Sequence, residues 1–133
     1  MPSDPTARAR AREAEQFGDE AMLSGSIPLI WMPYWSSPEK RDAGAMEQER
    51  EMLRKRDLPF IEKLLGIAGR GGFLCGEFSL ADTPLMAVAM VLQVDKMPLA
   101  DFPQVEKYLE RLRHRPSYRA INPTTKVAES AVN

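Results

Sequence analysis

Few side chains in this sequence are of types that could carry out chemistry, and their settings favour structural roles. His114 is the one histidine and stands between two arginines near the end of a predicted helix, where the helix dipole favours a cation. Without a second histidine, neither a histidine metal site nor a catalytic triad is indicated. Cys75 is close to Glu77, whereas a reactive thiol needs positive charge nearby. We therefore expect a surface histidine and an unreactive, half-buried cysteine.

Ser79 and Asp82 form the most informative pair, because they stand three residues apart just before a long apolar run. This is the spacing of a capping box, in which the Ser79 hydroxyl accepts from the Asp82 N–H and the Asp82 carboxylate accepts from the Ser79 N–H. The capping geometry accounts for Asp82 without a role as a catalytic acid. The helix that follows is apolar on every side and too short to cross a bilayer, so we predict the buried centre of one domain.

A long first helix is predicted before this central one. Asp4 and Pro5 are typical of a helix cap and first turn, and the helix is expected over residues 6–35. Pro28 removes one hydrogen bond and should kink it. The inward face is expected to comprise Phe17, Ala21, Ser24, Ile27, Trp31 and Trp35.

The remaining helices are predicted from turn residues and apolar spacing. A second helix is expected over residues 39–66, kinked at Pro59 and with Met46, Met52 and Leu53 on its inward seam. Asp101 is predicted to cap a helix over residues 102–115, and residues 117–122 add a short turn. The expected fold class is an all-α bundle of about five or six helices.

The composition is that of one compact domain without a strongly charged face. The chain has 133 residues, with 18 basic and 19 acidic side chains and a net charge of −1, which disfavours nucleic acid and membrane surfaces as partners. We expect a helical domain over residues 1–123 and a flexible tail over residues 124–133. The first residues lack the pattern of a secretion signal, and a single cysteine suits a reducing compartment, so we expect a cytoplasmic protein.

Residues 76–82, preceded by Phe-Leu and followed by the apolar helix, resemble the capping-box segment of the all-helical C-terminal domain of glutathione S-transferases. The likeness continues over residues 102–118, where Phe-Pro-Gln-Val, a tyrosine, Arg-Leu and Arg-Pro-Ser-Tyr resemble the last long helix of that domain and its ending. Residues 4–9 resemble its start. The resemblance therefore covers nearly the whole chain up to about Thr124.

The resemblance implies a binding role for the first helix. In glutathione transferases the inner face of this helix walls the pocket that holds the apolar electrophile, and apolar lining suits such a ligand. The matching positions here are Glu20, Ser24, Ile27 and Trp31. Glu20 could meet an ammonium group of glutathione or a partner subunit, or could be an ordinary solvated glutamate. Trp31, with Tyr34 and Trp35, could equally serve in ordinary packing.

The family also implies what these residues do not supply. Its members hold glutathione chiefly in a separate thioredoxin-like domain, which provides the Tyr, Ser or Cys that acts on the thiol, and this sequence has no βαβ pattern. Thiolate formation needs a donor or a positive field at the sulfur, and no residue here is assigned to that task. We expect no catalytic, cofactor-binding or metal-binding residue, and glutathione enters as co-substrate only with a thioredoxin-like domain or partner chain.

The sequence is compatible with three functions. The chain could be the helical half of a glutathione transferase, supplying the electrophile pocket and the surface of a homodimer. It could be a non-catalytic module that binds proteins through its helical surface. It could also bind a small apolar molecule by itself. A large exposed apolar patch would favour the first two, and a closed apolar pocket would favour the third.

Overall fold

The computed structural model describes residues 3–67 and 72–121, with the backbone alone at positions 21–24, 27, 31 and 34. The described residues form an all-helical bundle, as predicted, and the only β-type pairing among them is a set of isolated bridges within residues 73–77. The predicted tail, residues 124–133, lies outside the described part. The α-helices are α1 (Pro5–Ala21), α2 (Met32–Tyr34), α3 (Ala43–Met52), α4 (Leu58–Ile67), α5 (Thr83–Val94), α6 (Pro103–Arg113) and α7 (Pro116–Ile121).

The first helical rod joins α1 to α2 through a π-helical segment, Met22–Trp31. Asp4 caps its start, because Asp4 Oδ2 accepts from the Ala7 N–H at 2.7 Å. Pro28 lies inside the π-helical segment. Since proline lacks an N–H and its ring crowds the preceding turn, the wider turns accommodate it without breaking the rod. The long first helix predicted over residues 6–35 is therefore confirmed as far as residue 34, with a π-helical middle part.

Trp35 was predicted on the inward face of this rod, and that prediction is wrong. Its side chain is 55% exposed. The wider π turns rotate the later residues out of the register that a regular helix would give, and Trp35 follows the end of α2, where its N–H donates to the Met32 carbonyl at 3.0 Å. A spacing of three and four residues therefore does not extend through this segment.

The second rod begins later than predicted. Pro38–Lys40 forms a short 3₁₀ turn instead of the first turn of the long helix. The rod starts after Asp42, whose Oδ1 accepts from the Ala45 N–H at 2.9 Å. It then runs through α3, a π-helical segment at Leu53–Asp57, and α4. This π-helical segment ends where α4 begins, and Pro59 is the second residue of α4, so the wider turns precede this proline, whereas those of the first rod contain Pro28.

The inward seam of the second rod differs from the prediction at one position. Met46 and Leu53 are buried, but Met52 is 41% exposed. Neighbouring residues on a helix point about 100° apart, so Met52 turns away when Leu53 faces the core. Two acidic residues, Glu49 and Asp57, take places on the seam instead.

The central helix α5 lies in the core as predicted. Its buried side chains are Leu85, Val88, Ala89, Met90, Val91 and Leu92. It packs against α1, where Gly18 brings the backbone of α1 against Pro84 in the first turn of α5. A 3₁₀ turn, Leu80–Asp82, precedes it and is capped by Ser79.

Asp82 joins the start of this helix to two other parts of the fold. Both reciprocal contacts of the capping box with Ser79 are present, and Asp82 Oδ2 accepts from the Ser79 N–H at 2.9 Å. Asp82 Oδ1 accepts from the Leu74 N–H at 3.0 Å and from the Tyr108 hydroxyl at 3.3 Å. The Asp82 side chain is fully buried. One carboxylate thus holds the preceding loop, the first turn and α6 together.

The start of α6 is capped by a residue that the sequence does not indicate. The predicted cap, Asp101, is exposed, and the N-cap position is occupied by Phe102 without a side-chain hydrogen bond. Instead the Glu62 carboxylate of α4 accepts from the N–H groups of Gln104 at 2.9 Å and Val105 at 3.0 Å. The prediction of Asp101 is therefore wrong, because the acceptor comes from a neighbouring helix rather than from the preceding turn.

Candidate functional site

The predicted electrophile wall lies on the first rod, and the structure describes one of its four side chains. Glu20 is exposed near the end of α1. The side chains of Ser24, Ile27 and Trp31 lie outside the described part. Their backbone belongs to the π-helical segment, so these positions do not form the straight face of a regular helix.

A pocket opens beside Glu20, between α1 and the second rod. It has a volume of about 320 Å³ and is lined by Phe17, Glu20, Arg56 and Phe60. The rings of Phe17 and Phe60 are 4.7 Å apart between centroids, with their planes tilted by 39°. These rings are half-buried, whereas Glu20 and Arg56 are exposed. The pocket therefore has aromatic walls and one charge of each sign at its edge, and we call it the Phe17–Phe60 pocket.

Two buried carboxylates lie on the second rod near this pocket. Glu49 is 6% exposed, and its Oε1 accepts from the Ser26 hydroxyl at 3.1 Å. Gly25 permits this approach, since a Cβ there would lie 2.5 Å from Glu49 Oε1. Asp57 is fully buried and accepts from Arg56 Nε at 2.6 Å. Neither acid was predicted to be buried from the sequence. Helical spacing could have indicated it, because both acids lie on one stripe that comprises Met46, Glu49, Leu53 and Asp57.

The electrostatics of this region follow from burial and from the Arg56–Asp57 pair. Burial raises the pKa of Glu49, the hydrogen bond from Ser26 opposes that rise, and the nearby Asp57 adds to it. The hydrogen bond to Asp57 raises the pKa of Arg56, so its cation persists at the pocket edge. Chemically, the region can hold a proton on a buried acid and place a permanent positive charge beside two aromatic rings.

Glu49→Gln is expected to change how stability depends on pH. The folded protein holds the Glu49 proton more tightly than the unfolded chain, whose pKa is near the ordinary value of 4.5, so protonation favours folding. Stability from this group is fully present below pH 4.5 and is lost as the pH rises through the raised folded pKa. Urea melts at several pH values should therefore show that the free energy of unfolding of the variant increases relative to that of the natural protein as the pH rises.

Glu47→Gln is the matched control for this experiment. Glu47 is exposed, and its hydrogen bonds with Arg54 and Arg50 lower its pKa. Its contribution is present at higher pH and is lost as the pH falls through the lowered folded pKa, so this variant should lose stability at neutral pH and approach the natural protein in acid. A Glu49→Gln curve that runs parallel to that of the natural protein would contradict the assignment of a raised pKa.

The remaining chemical side chains are not brought together. His114 is exposed, with Nδ1 2.8 Å from the Glu110 carbonyl oxygen. Cys75 is half-buried, and its Sγ lies 3.9 Å from the Ala7 carbonyl oxygen. Across residues 3–67 and 72–121, no group of three or more His, Cys, Asp or Glu side chains is arranged to hold a metal ion.

A second pocket lies away from the predicted wall. It has a volume of about 410 Å³ and opens between the end of α5, the turn that follows and α6. Its lining consists of Leu92, Gln93, Lys96, Met97, Leu99, Leu109 and Arg113. None of these residues belongs to the face that the resemblance implies for electrophile binding. Although this pocket is larger than the Phe17–Phe60 pocket, it is therefore not the candidate site.

The fold and this site define a helical domain built around a capped central helix, with an aromatic pocket beside its first rod. Within the described part of the chain, no helix is both long and apolar enough to span a bilayer. The sequence model of the family "Glutathione S-transferase, C-terminal domain" matches residues 24–116. The chain therefore belongs to this family. No curated protein and no solved structure matches it.

Proposed function

We propose that this chain is the helical half of a glutathione S-transferase-like protein and supplies the apolar wall for the electrophile. The observation that supports this most directly is the Phe17–Phe60 pocket, because it contains Glu20 of the predicted wall and lies beside the first rod, where the resemblance places that wall. A ligand-sized volume with two aromatic walls, and with its two charged side chains at the edge, suits an apolar ring.

The proposed chemistry assigns binding and orientation to this chain. Phe17 and Phe60 would remove water from one face of an aromatic electrophile, while the Arg56 cation attracts an electron-withdrawing substituent at the edge. A thioredoxin-like domain or partner chain would hold glutathione and activate its thiol. No step of thiol activation is assigned to a residue of this chain.

Phe60→Ala is expected to weaken binding of an apolar fluorescent dye, anilinonaphthalene sulfonate, by about fivefold to tenfold. Loss of the ring removes one aromatic wall of the pocket, and such a contact contributes about 1 kcal/mol, with about 1.4 kcal/mol equal to tenfold in affinity. A fluorescence titration of the full chain measures the affinity, and circular dichroism reports whether the variant stays folded.

Phe102→Ala is the matched control for the dye titration. Phe102 is also a half-buried phenylalanine packed on the core, but it lies at the start of α6 and does not line the pocket. Its removal should leave the dye affinity within about twofold. Equal affinities for the natural protein and for Phe60→Ala would show that the dye binds elsewhere and would remove the support for the electrophile wall.

The second part of the proposal is an interface with a thioredoxin-like domain or with a second copy of the chain. It is supported by large apolar side chains that stay exposed: Leu80 at 81%, Met32 at 57% and Trp35 at 55%. The same observation would suit a non-catalytic interaction module. Sedimentation velocity of the full chain separates a homodimer from a monomer that requires another partner. A cytoplasmic location is part of this proposal.

A further inference from the structure

The turn between α6 and α7 carries a guanidinium group, that of Arg115, for which no hydrogen bond is found within the described part of the chain. Arg115 is half-buried, and its Nε lies buried without a hydrogen-bond partner. Within residues 3–67 and 72–121, no acceptor or acidic side chain pairs with this group. Because the Nε is shielded from solvent, a ligand would contact the two outer nitrogens of the group, Nη1 and Nη2.

Aromatic rings fix the orientation of this group. The Arg115 Cζ lies 3.6 Å from the centroid of the Phe78 ring and 5.9 Å from that of Phe73. The Phe73 ring is in turn held edge-on by Phe78 at 5.5 Å and by Tyr108 at 5.9 Å. A guanidinium stacked on a ring directs its N–H groups outward in the guanidinium plane, where they can form a two-pronged contact.

A second guanidinium group lies beside the same loop. Arg111 Nη1 donates to the Gly72 carbonyl at 3.2 Å, next to Phe73, which Arg115 approaches. Gly72 has a φ of +75°, and a Cβ there would overlap the Arg111 guanidinium, so the close approach requires glycine. Two cations therefore flank residues 72–73.

Two acidic groups of this part of the fold have other partners. The Asp82 carboxylate accepts from Ser79, Leu74 and Tyr108. Glu110 pairs with Arg113 at 3.0 Å, on the exposed part of α6. The corner formed by Arg111, Arg115 and Phe78 thus combines positive charge with an aromatic surface, and the described carboxylates do not neutralise it.

From this geometry we propose that Arg115 and Arg111 form a binding site for an oxyanion with two oxygens available to the fork, either a phosphate or a carboxylate group. The planar fork of Arg115 matches this shape, and Arg111 adds a second charge. The site is independent of the Phe17–Phe60 pocket and of the proposed electrophile binding. Failure of either proposal leaves the other standing.

The test is a nuclear magnetic resonance titration of the full chain with sodium phosphate, sodium acetate and sodium chloride at matched ionic strength. Phosphate or acetate should shift the amide signals of residues 72–78 and 111–115 in a saturable way, whereas chloride should not. Tighter binding of phosphate assigns a phosphorylated ligand, and equal or tighter binding of acetate assigns a carboxylate ligand. Shifts that are the same for all three salts, or that never saturate, overturn the proposal.

Two glutamine variants separate a specific site from general attraction to positive charge. Arg115→Gln should lower the affinity for the anion that binds more tightly by about tenfold, which is the scale of one charge-assisted hydrogen bond. Arg113→Gln makes the same change of charge on an exposed, ion-paired arginine and should leave the affinity within about twofold. Equal losses in both variants overturn the proposal.

Arg115→Lys is a second variant that tests the site even when Arg115→Gln does not fold. Lysine keeps the charge and the contact with the ring but lacks the planar fork, so this variant should fold and still bind the anion several-fold more weakly. An unchanged anion affinity in a folded Arg115→Lys protein would overturn the assignment of the fork.

Discussion

Replacing Asp82 by alanine is expected to lower the free energy of unfolding by about 2–4 kcal/mol, as judged from the known cost of lost caps and unsatisfied buried donors. The carboxylate is fully buried and accepts from the N–H groups of Leu74 and Ser79 and from the Tyr108 hydroxyl. The Leu74 and Ser79 N–H groups lose this acceptor at once, and the Tyr108 hydroxyl keeps only its contact with the Asp82 carbonyl oxygen at 3.3 Å. Urea denaturation, with the slope compared between proteins, measures the change.

Asp82→Asn should not restore this stability. Donors approach both oxygens of the carboxylate, and the amide has one oxygen and one NH₂ group that would face a donor. Burial raises the pKa of Asp82, so the charged carboxylate is costly at this position. A neutral amide would remove that cost but would leave one of the two N–H donors without an acceptor.

Asp101→Ala is the control for the Asp82 variants. It removes an exposed aspartate that makes no cap, and should change stability by less than about 0.5 kcal/mol. If Asp82→Ala unfolded at the same urea concentration as this control, the carboxylate would not be joining the loop, the capped turn and α6 in solution.

Gly18→Ala is expected to have the second largest effect, a loss of about 2 kcal/mol typical of overpacking in a close helix contact. Gly18 is buried in α1, and a Cβ there would overlap Pro84 in the first turn of α5. Helix propensity alone would favour alanine at this position. The steric clash must therefore exceed that gain, since Pro84 cannot move away by changing a side-chain rotamer. Thermal or urea unfolding measures the result.

Gly66→Ala supplies a control of the opposite sign. Gly66 lies in α4, and apart from its chain neighbours and the backbone of its own helix, no atom of the described residues lies within 4 Å of the added Cβ. Alanine there should raise stability by about 0.5–1 kcal/mol, because it reduces the freedom of the unfolded chain. Two glycine-to-alanine changes that both stabilise the protein would show that α1 and α5 are not in close contact at Gly18.

Sequence reasoning succeeded where the signal was local. The capping pair Ser79 and Asp82 and the apolar run after it identify the central helix, because a cap and the helix it starts are adjacent in the chain. Asp4 followed by Pro5 likewise gives the start of the first rod. The contacts of Asp82 with Leu74 and Tyr108 were not predicted, since they depend on how separate elements pack.

The errors arose where structure depends on distant residues or on helix type. The cap of α6 comes from Glu62, so the nearby Asp101 was a misleading local signal. The π-helical segments change the register of both rods, and a pattern based on regular helix spacing therefore misplaced Trp35. For the candidate site, the sequence named Glu20 for the wall and Phe17 for the inward face of the same helix. Arg56 and Phe60 come from the second rod, whose placement against α1 no spacing could give.

The cap that Glu62 places on α6 bears on how the domain opens and closes. The first turn of α6 receives its acceptor from a residue 42 positions earlier in the chain, so α6 has no local side chain with which to start itself. Fraying of α4 would release the amide protons of Gln104 and Val105 to exchange with solvent. The second rod and α6 should therefore behave as one cooperative unit, in which neither helix persists long without the other.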